Sequence, residues 1–67
     1  MSGKTYYTIA NKLRQDDPEV IIKFYMKSGQ VFSARLNEIS YEVEYLILQD
    51  DDGTKFLEVA SIEAMTI

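Results

Sequence analysis

Clusters of carboxylates are the residues of this 67-residue chain with the most evident capacity for chemistry. Asp16–Asp17 form one cluster, and Asp50–Asp52, followed by Gly53, form another. The triplet could bind calcium, but the glutamate that completes an EF-hand loop is absent at its spacing, which favours a solvated turn. Histidine and cysteine are both absent, and with them the commonest general base and the thiolate ligands. We therefore predict no enzyme activity, no metal and no cofactor.

Charge is unevenly distributed along the chain, whose net charge is −4. Lys4, Lys12 and Arg14 are the only charged residues among the first fifteen, and the remainder carries four basic and eleven acidic residues. A solvated acidic surface is the simplest explanation. The alternative is a basic helical face that attracts a polyanion.

The N-terminal segment 5–15 has the periodicity of a helix. Tyr6, Ile9, Ala10 and Leu13 recur at intervals of three and four, forming one apolar stripe. Thr5 is the expected N-cap, and the helix should end before Pro18, since the residue preceding proline avoids helical geometry. We expect the stripe to cover one end or face of a barrel.

The remainder, residues 19–67, predicts five short strands. Two strands, at about 19–27 and 30–38, are joined by a turn at Ser28–Gly29 and alternate between apolar and polar residues. A polar bend or loop is expected at 37–41, and further strands at about 42–49, 54–59 and 62–67. The fold class is therefore mainly β, in a single domain, 1–67: a helix followed by a five-stranded, strongly bent antiparallel barrel.

The hairpin resembles the first motif of the Sm/LSm family, which includes bacterial Hfq. The matching positions are Ile22, Phe24, Met26, Gly29, Phe32, Ala34, Leu36 and Ile39, with alanine at Ala34 where the family usually has glycine. The tail VASIEAMTI is similar to the closing strands of that family. An unrelated barrel of the SH3 type is the alternative.

The resemblance implies a homo-oligomeric ring of roughly five to seven subunits, closed by strand pairing between neighbours. So small a chain without disulfides also gains from a partner. Apolar residues of the last three strands are the predicted oligomer interface: Leu46, Leu48, Phe56, Leu57, Ile62, Met65 and Ile67.

The resemblance also implies binding of single-stranded RNA, with atypical pore loops. Ser40, Glu42 and Glu44 stand at the family positions for aspartate, a stacking residue and asparagine, and Glu58–Val59 replace arginine and glycine. Acidic side chains there oppose phosphate binding. We therefore predict RNA contacts at Tyr41 and Ser40, together with the basic helix residues Lys4, Lys12 and Arg14. The alternative function is a protein-interaction or assembly module that binds no RNA.

The sequence contains no apolar segment of transmembrane length and no recognisable secretory signal. A cytoplasmic location is expected, with no membrane partner and no small-molecule substrate.

Overall fold

The computed structural model describes all 67 residues and is mainly β with one N-terminal α-helix, as the sequence predicts. The elements in chain order are α1 (Gly3–Asp16), β1 (Ile22–Met26), β2 (Val31–Ala34), β3 (Glu38–Tyr41), β4 (Tyr45–Asp50), β5 (Gly53–Glu58), a 3₁₀ turn (Val59–Ser61) and β6 (Ile62–Thr66).

Helix α1 begins earlier than the sequence indicated. Ser2 is the N-cap, and its hydroxyl oxygen accepts a hydrogen bond from the Thr5 backbone N–H at 3.2 Å, so Thr5 lies inside the helix. The helix ends at Asp16, just before Pro18, as predicted. Tyr6 and Ala10 are buried, whereas Ile9 is 40% exposed. At 14 residues, α1 is too short and too polar for a transmembrane span.

The strands form two three-stranded antiparallel sheets, with orders β2-β1-β6 and β3-β4-β5. There are six strands rather than five, because the second predicted strand is interrupted at Arg35–Asn37. The segment expected to be a polar loop continues as β3, with Ile39 opposite Leu48 of β4. Ile39 and Leu36 are both buried, so the break turns the chain from one sheet into the other while both side chains stay in the core.

Both predicted hairpin turns depend on glycine. Gly29, between β1 and β2, has φ +92°, and Gly53, at the start of β5, has φ +131°. Both values lie in the left-handed region, which side chains with a Cβ rarely adopt. The resulting β1–β2 register places Phe24 opposite Phe32, with the buried face of β1 as predicted.

One core joins the helix to both sheets. Its buried members are Tyr6, Ala10, Ile22, Phe24, Met26, Leu36, Ile39, Leu46, Leu48, Leu57 and Ile62. The buried side chains of both sheets belong to this one cluster, so each sheet has one face in the core and the other toward solvent.

Arg14 holds the break between β2 and β3 in place. Its Nε donates to the Leu36 carbonyl oxygen at 3.2 Å, and its Nη2 donates to the Asn37 carbonyl oxygen at 2.6 Å. Its Nη1 donates to Asn11 Oδ1 at 3.0 Å, which fixes the guanidinium against the helix. The side chain thus satisfies carbonyl groups that a broken strand leaves without ladder partners.

We expect Arg14→Ala to lower the free energy of unfolding by about 1.5–3 kcal/mol, since it removes hydrogen bonds from a charged donor. Lys12→Ala is the matched control. Lys12 makes only an exposed ion pair with Asp16, so its loss should cost less than about 0.5 kcal/mol. Urea unfolding at one fixed protein concentration measures both values, and equal effects would contradict the assigned role of Arg14.

Candidate functional site

A cavity of about 530 Å³ opens where the β3–β4 loop meets the 3₁₀ turn. It is lined by Met1, Val43, Glu44, Glu58, Val59 and Ala60, and we call it the loop cavity. The Val59 N–H donates to the Glu44 carbonyl oxygen at 2.8 Å, which ties the two loops together. These segments include the positions that the resemblance to the Sm/LSm family places in its pore loops.

The start of α1 packs closely beneath these loops. A Cβ atom on Gly3 would lie 3.2 Å from Val59 Cγ2 and 3.4 Å from the Glu42 carbonyl oxygen. The first distance is tighter than ordinary van der Waals contact, so a larger residue at position 3 would require the Val59 side chain or the helix to shift by a few tenths of an ångström. The helix start therefore fixes the position of the loop cavity.

The carboxylates around the loop cavity have no cationic partner. Glu42, Glu44 and Glu58 are exposed, and none takes part in the four ion pairs of the structure. The Ser61 hydroxyl donates to Glu58 Oε1 at 3.0 Å, which orients that side chain without neutralising it. The local charge is negative, as the sequence suggested, and disfavours phosphate there.

Tyr41 is placed at the end of β3, where it contacts the helix. Its ring lies 5.1 Å from the ring of Tyr7, centroid to centroid, at an interplanar angle of 50°. Tyr41 remains 41% exposed, and Ser40 is exposed one residue earlier. The two residues are on the surface, but the Tyr41 ring is already in contact with the Tyr7 ring.

The three basic residues of α1 do not form one free basic face. Lys12 Nζ lies 3.2 Å from Asp16 Oδ1, and Arg14 is engaged with backbone carbonyls. Lys4 alone is exposed without an ion pair. The helix side therefore has fewer free basic side chains than the sequence implies, and RNA binding by these residues stays a prediction.

A second surface, which sequence reasoning did not select, lies on the outer face of the β2-β1-β6 sheet. We call it the sheet platform. Its two cross-strand rows are Ser33–Lys23–Thr66 and Val31–Tyr25–Ala64. Lys23 makes no ion pair, and neither row contains an acidic residue. The alternation of β1, which puts Lys23 and Tyr25 on the solvent side, was the available signal.

The predicted interface residues divide into two groups. Leu46, Leu48, Leu57 and Ile62 are at most 6% exposed and belong to the core of their own chain. Phe56 is 63% exposed, Ile67 is 69% exposed and Met65 is half-buried. Only Phe56, Met65 and Ile67 can therefore contact a neighbouring chain through their side chains. Helix α1 and the two sheets cover the other four.

The Asp50–Asp52 turn is held by side chains of this chain. Lys55 Nζ lies 2.7 Å from Asp50 Oδ2, and the Lys55 hydrogen bond lowers the pKa of Asp50. Asn37 Nδ2 donates to Asp51 Oδ1 at 2.9 Å, and Arg35 Nη2 lies 3.2 Å from Asp51 Oδ2. Asn37 first, and Arg35 second, lower the pKa of Asp51 below 3.8. Through Asp51, the turn thus holds Arg35 and Asn37, the two ends of the break between β2 and β3, in place.

Two curated proteins are similar to this chain: the DNA replication ATP-dependent helicase/nuclease DNA2 of Xenopus tropicalis and that of Xenopus laevis. Each is 31% identical over 71 aligned positions. The alignment covers 88% of this chain, which spans only 7% of the length of either relative. No protein-family model matches the chain, and no solved structure matches it.

We expect Asn37→Ala to make stability less sensitive to acid. A lowered pKa in the folded state stabilises the fold above the ordinary value of 3.8, and that stabilisation disappears as pH falls through the folded-state pKa. The variant should therefore be less stable than wild type at neutral pH, with a gap that closes under acid conditions. Urea unfolding across pH measures this gap.

The same substitution in an Asp51→Asn background is the control. Without the titrating carboxylate, the pH-dependent part of the gap should be absent. A gap that stays constant across pH in the wild-type background would contradict the assignment.

Proposed function

We propose that this chain is an Sm-like module that assembles edge to edge into a ring and binds single-stranded RNA on its sheet platform. The observation that carries the proposal is that β5 and β6 each lie at an open sheet edge, separated only by the 3₁₀ turn Val59–Ser61. An unpaired edge presents N–H and C=O groups that another strand can satisfy. One open edge at each end of the same short segment suits head-to-tail assembly.

The other two edge strands are less available. β2 and β3 are consecutive segments joined by the Arg35–Asn37 break, and β3 is in contact with α1. We therefore propose that β2 and β3 together act as one bent strand, so that the six strands correspond to the five of a closed barrel. In that arrangement β5 and β6 are the natural contacts between copies.

Exposed apolar side chains accompany the two open edges. Phe56 projects from β5 with 63% of its surface exposed, and Ile67, just after β6, is 69% exposed. Met65 is half-buried in β6. Pairing β5 of one copy with β6 of the next would bring such side chains together and remove apolar area from water. Six-residue β5 and five-residue β6 are also of similar length.

The sheet platform supports the RNA-binding part of the proposal. Aromatic rings stack on unpaired bases of any sequence, and lysine neutralises phosphate. Tyr25 is half-buried at the centre of its row, with Lys23 two residues earlier on the same strand face. A ring would repeat this pair in every copy, giving a positively charged aromatic surface on an otherwise acidic protein.

The relatives add a second nucleic acid to test. Their names describe DNA replication proteins, and the similarity is limited to a segment that makes up 7% of their length. Stacking and phosphate contacts do not by themselves separate single-stranded DNA from RNA. We propose RNA as the ligand, and single-stranded DNA is the comparison in each binding experiment.

The native mass of the protein tests assembly. We expect light scattering to give a stable mass of several chains across a range of concentrations. Phe56→Glu should reduce that mass, because it places charge beside an open apolar edge. Ile9→Glu is the matched control, since Ile9 is a similarly apolar residue, 40% exposed on the helix. A monomeric wild type at every concentration would contradict edge-to-edge assembly.

Binding of labelled oligouridylate tests the RNA surface. Tyr25→Ala should weaken binding by about 1–3 kcal/mol, the value of one base stack, and Lys23→Gln should reduce the salt dependence by about 0.7 in log–log slope. Lys4→Gln is the control, because Lys4 is an exposed lysine on the helix side. A larger effect from Lys4→Gln would move the site to the helix, and no binding at low salt would favour the protein-interaction alternative.

A further inference from the structure

The loop cavity has the size and lining of a ligand site rather than of a packing defect. Its volume of about 530 Å³ falls in the range of small-ligand sites, and its shape is that of an open depression in the surface. Met1, Val43, Val59 and Ala60 supply apolar surface, and Glu44 and Glu58 add two carboxylates. Val43 is 95% exposed and lies in the loop between β3 and β4. Apolar walls with a few acidic groups suit a ligand that is both aliphatic and cationic.

Four of the eleven carboxylates of the chain are paired with a cation, and neither carboxylate of the loop cavity is among them. Asp16, Glu19, Asp50 and Asp51 each have a lysine or arginine within 4.0 Å. Glu44 and Glu58 have none, and the Ser61 hydroxyl engages only the Oε1 atom of Glu58. A cation from outside the chain would therefore find acceptors whose charge is still uncompensated.

Tyr45 adds an aromatic ring beside Glu58, at the margin of the cavity and outside its lining. It lies directly opposite Glu58 in the β4–β5 register, so the two side chains are cross-strand neighbours on one face. Tyr45 is 41% exposed. An aromatic face next to a carboxylate favours a guanidinium group, which stacks on the ring while it donates hydrogen bonds to the acid.

We propose that the loop cavity and Tyr45 bind an arginine side chain of a partner peptide. The aliphatic stem of arginine would lie on the apolar walls, and its planar guanidinium would meet Glu44 and Glu58. A metal ion fits less well, because no three carboxylates of this chain are grouped as metal ligands. Phosphate is repelled by the same glutamates. The cavity is formed within one chain, so this proposal does not rest on ring assembly or RNA binding.

The test is fluorescence anisotropy with a short labelled peptide that contains arginine flanked by leucine. The control peptide carries citrulline in place of arginine, which keeps the shape and removes the charge. We expect the full-length wild-type protein to bind the arginine peptide at least about tenfold more tightly, the equivalent of one charged hydrogen bond. Equal affinity for the two peptides would overturn the proposal.

Two variants locate the binding. Glu44→Gln combined with Glu58→Gln should weaken binding of the arginine peptide at least about tenfold, since both charges are lost with little change in shape. Glu63→Gln is the matched control, because Glu63 is an exposed glutamate on β6 and not a cavity residue. If Glu63→Gln weakens binding as much, the peptide responds only to net charge and the proposed site is wrong.

Light scattering and oligouridylate binding on the same samples separate this proposal from the proposed function. Loss of peptide affinity in the double variant, with native mass unchanged, supports the cavity as the site whatever the mass of the assembly. Oligouridylate that competes with the arginine peptide for the wild type, and fails to do so for the double variant, would instead assign the cavity to nucleic acid and overturn the peptide proposal.

Discussion

The abrupt turn of the chain at Arg35–Asn37 is the constraint on which the rest of the structure depends. A domain of 67 residues has little interior, so its two small sheets must share one core. The turn places Leu36 in that core and leads the chain from the β2-β1-β6 sheet into the β3-β4-β5 sheet. Backbone carbonyls released by the turn are satisfied by Arg14, a residue of the helix. Helix, break and sheets therefore stabilise one another.

This single shared core also determines which surfaces are left for binding a partner. All inner sheet faces are used within the chain, so a partner can reach only strand edges, outer sheet faces, loops and the exposed side of the helix. Positive charge and an aromatic ring lie together at Lys23 and Tyr25, whereas unpaired negative charge surrounds the loop cavity near Glu44 and Glu58. The two proposed ligands follow this separation of charge: the polyanion RNA is assigned to the sheet platform, and a cationic arginine side chain to the loop cavity.

Local pattern was sufficient to predict the helix, the β1–β2 hairpin and the mainly β composition of the fold. The alternation of Ile22, Phe24 and Met26 predicted a buried face because period-two order is a property of one strand. Local pattern was insufficient where burial or hydrogen bonding depends on residues far apart in the sequence. The burial of Leu46 within its own chain follows from its pairing with Leu57, and the role of Arg14 follows from carbonyls 22 and 23 residues away. No short motif encodes either one.

Concentration-dependent hydrogen exchange of the β5 and β6 amides tests the central claim most directly. In a single chain, part of each edge faces solvent and should exchange rapidly. Pairing between copies predicts that β5 and β6 are protected together wherever the assembled mass is present and lose protection together only on dilution below its dissociation, while β1 and β4, which lie inside the sheets, stay protected throughout. Rapid exchange along both edges at every concentration would contradict edge-to-edge assembly.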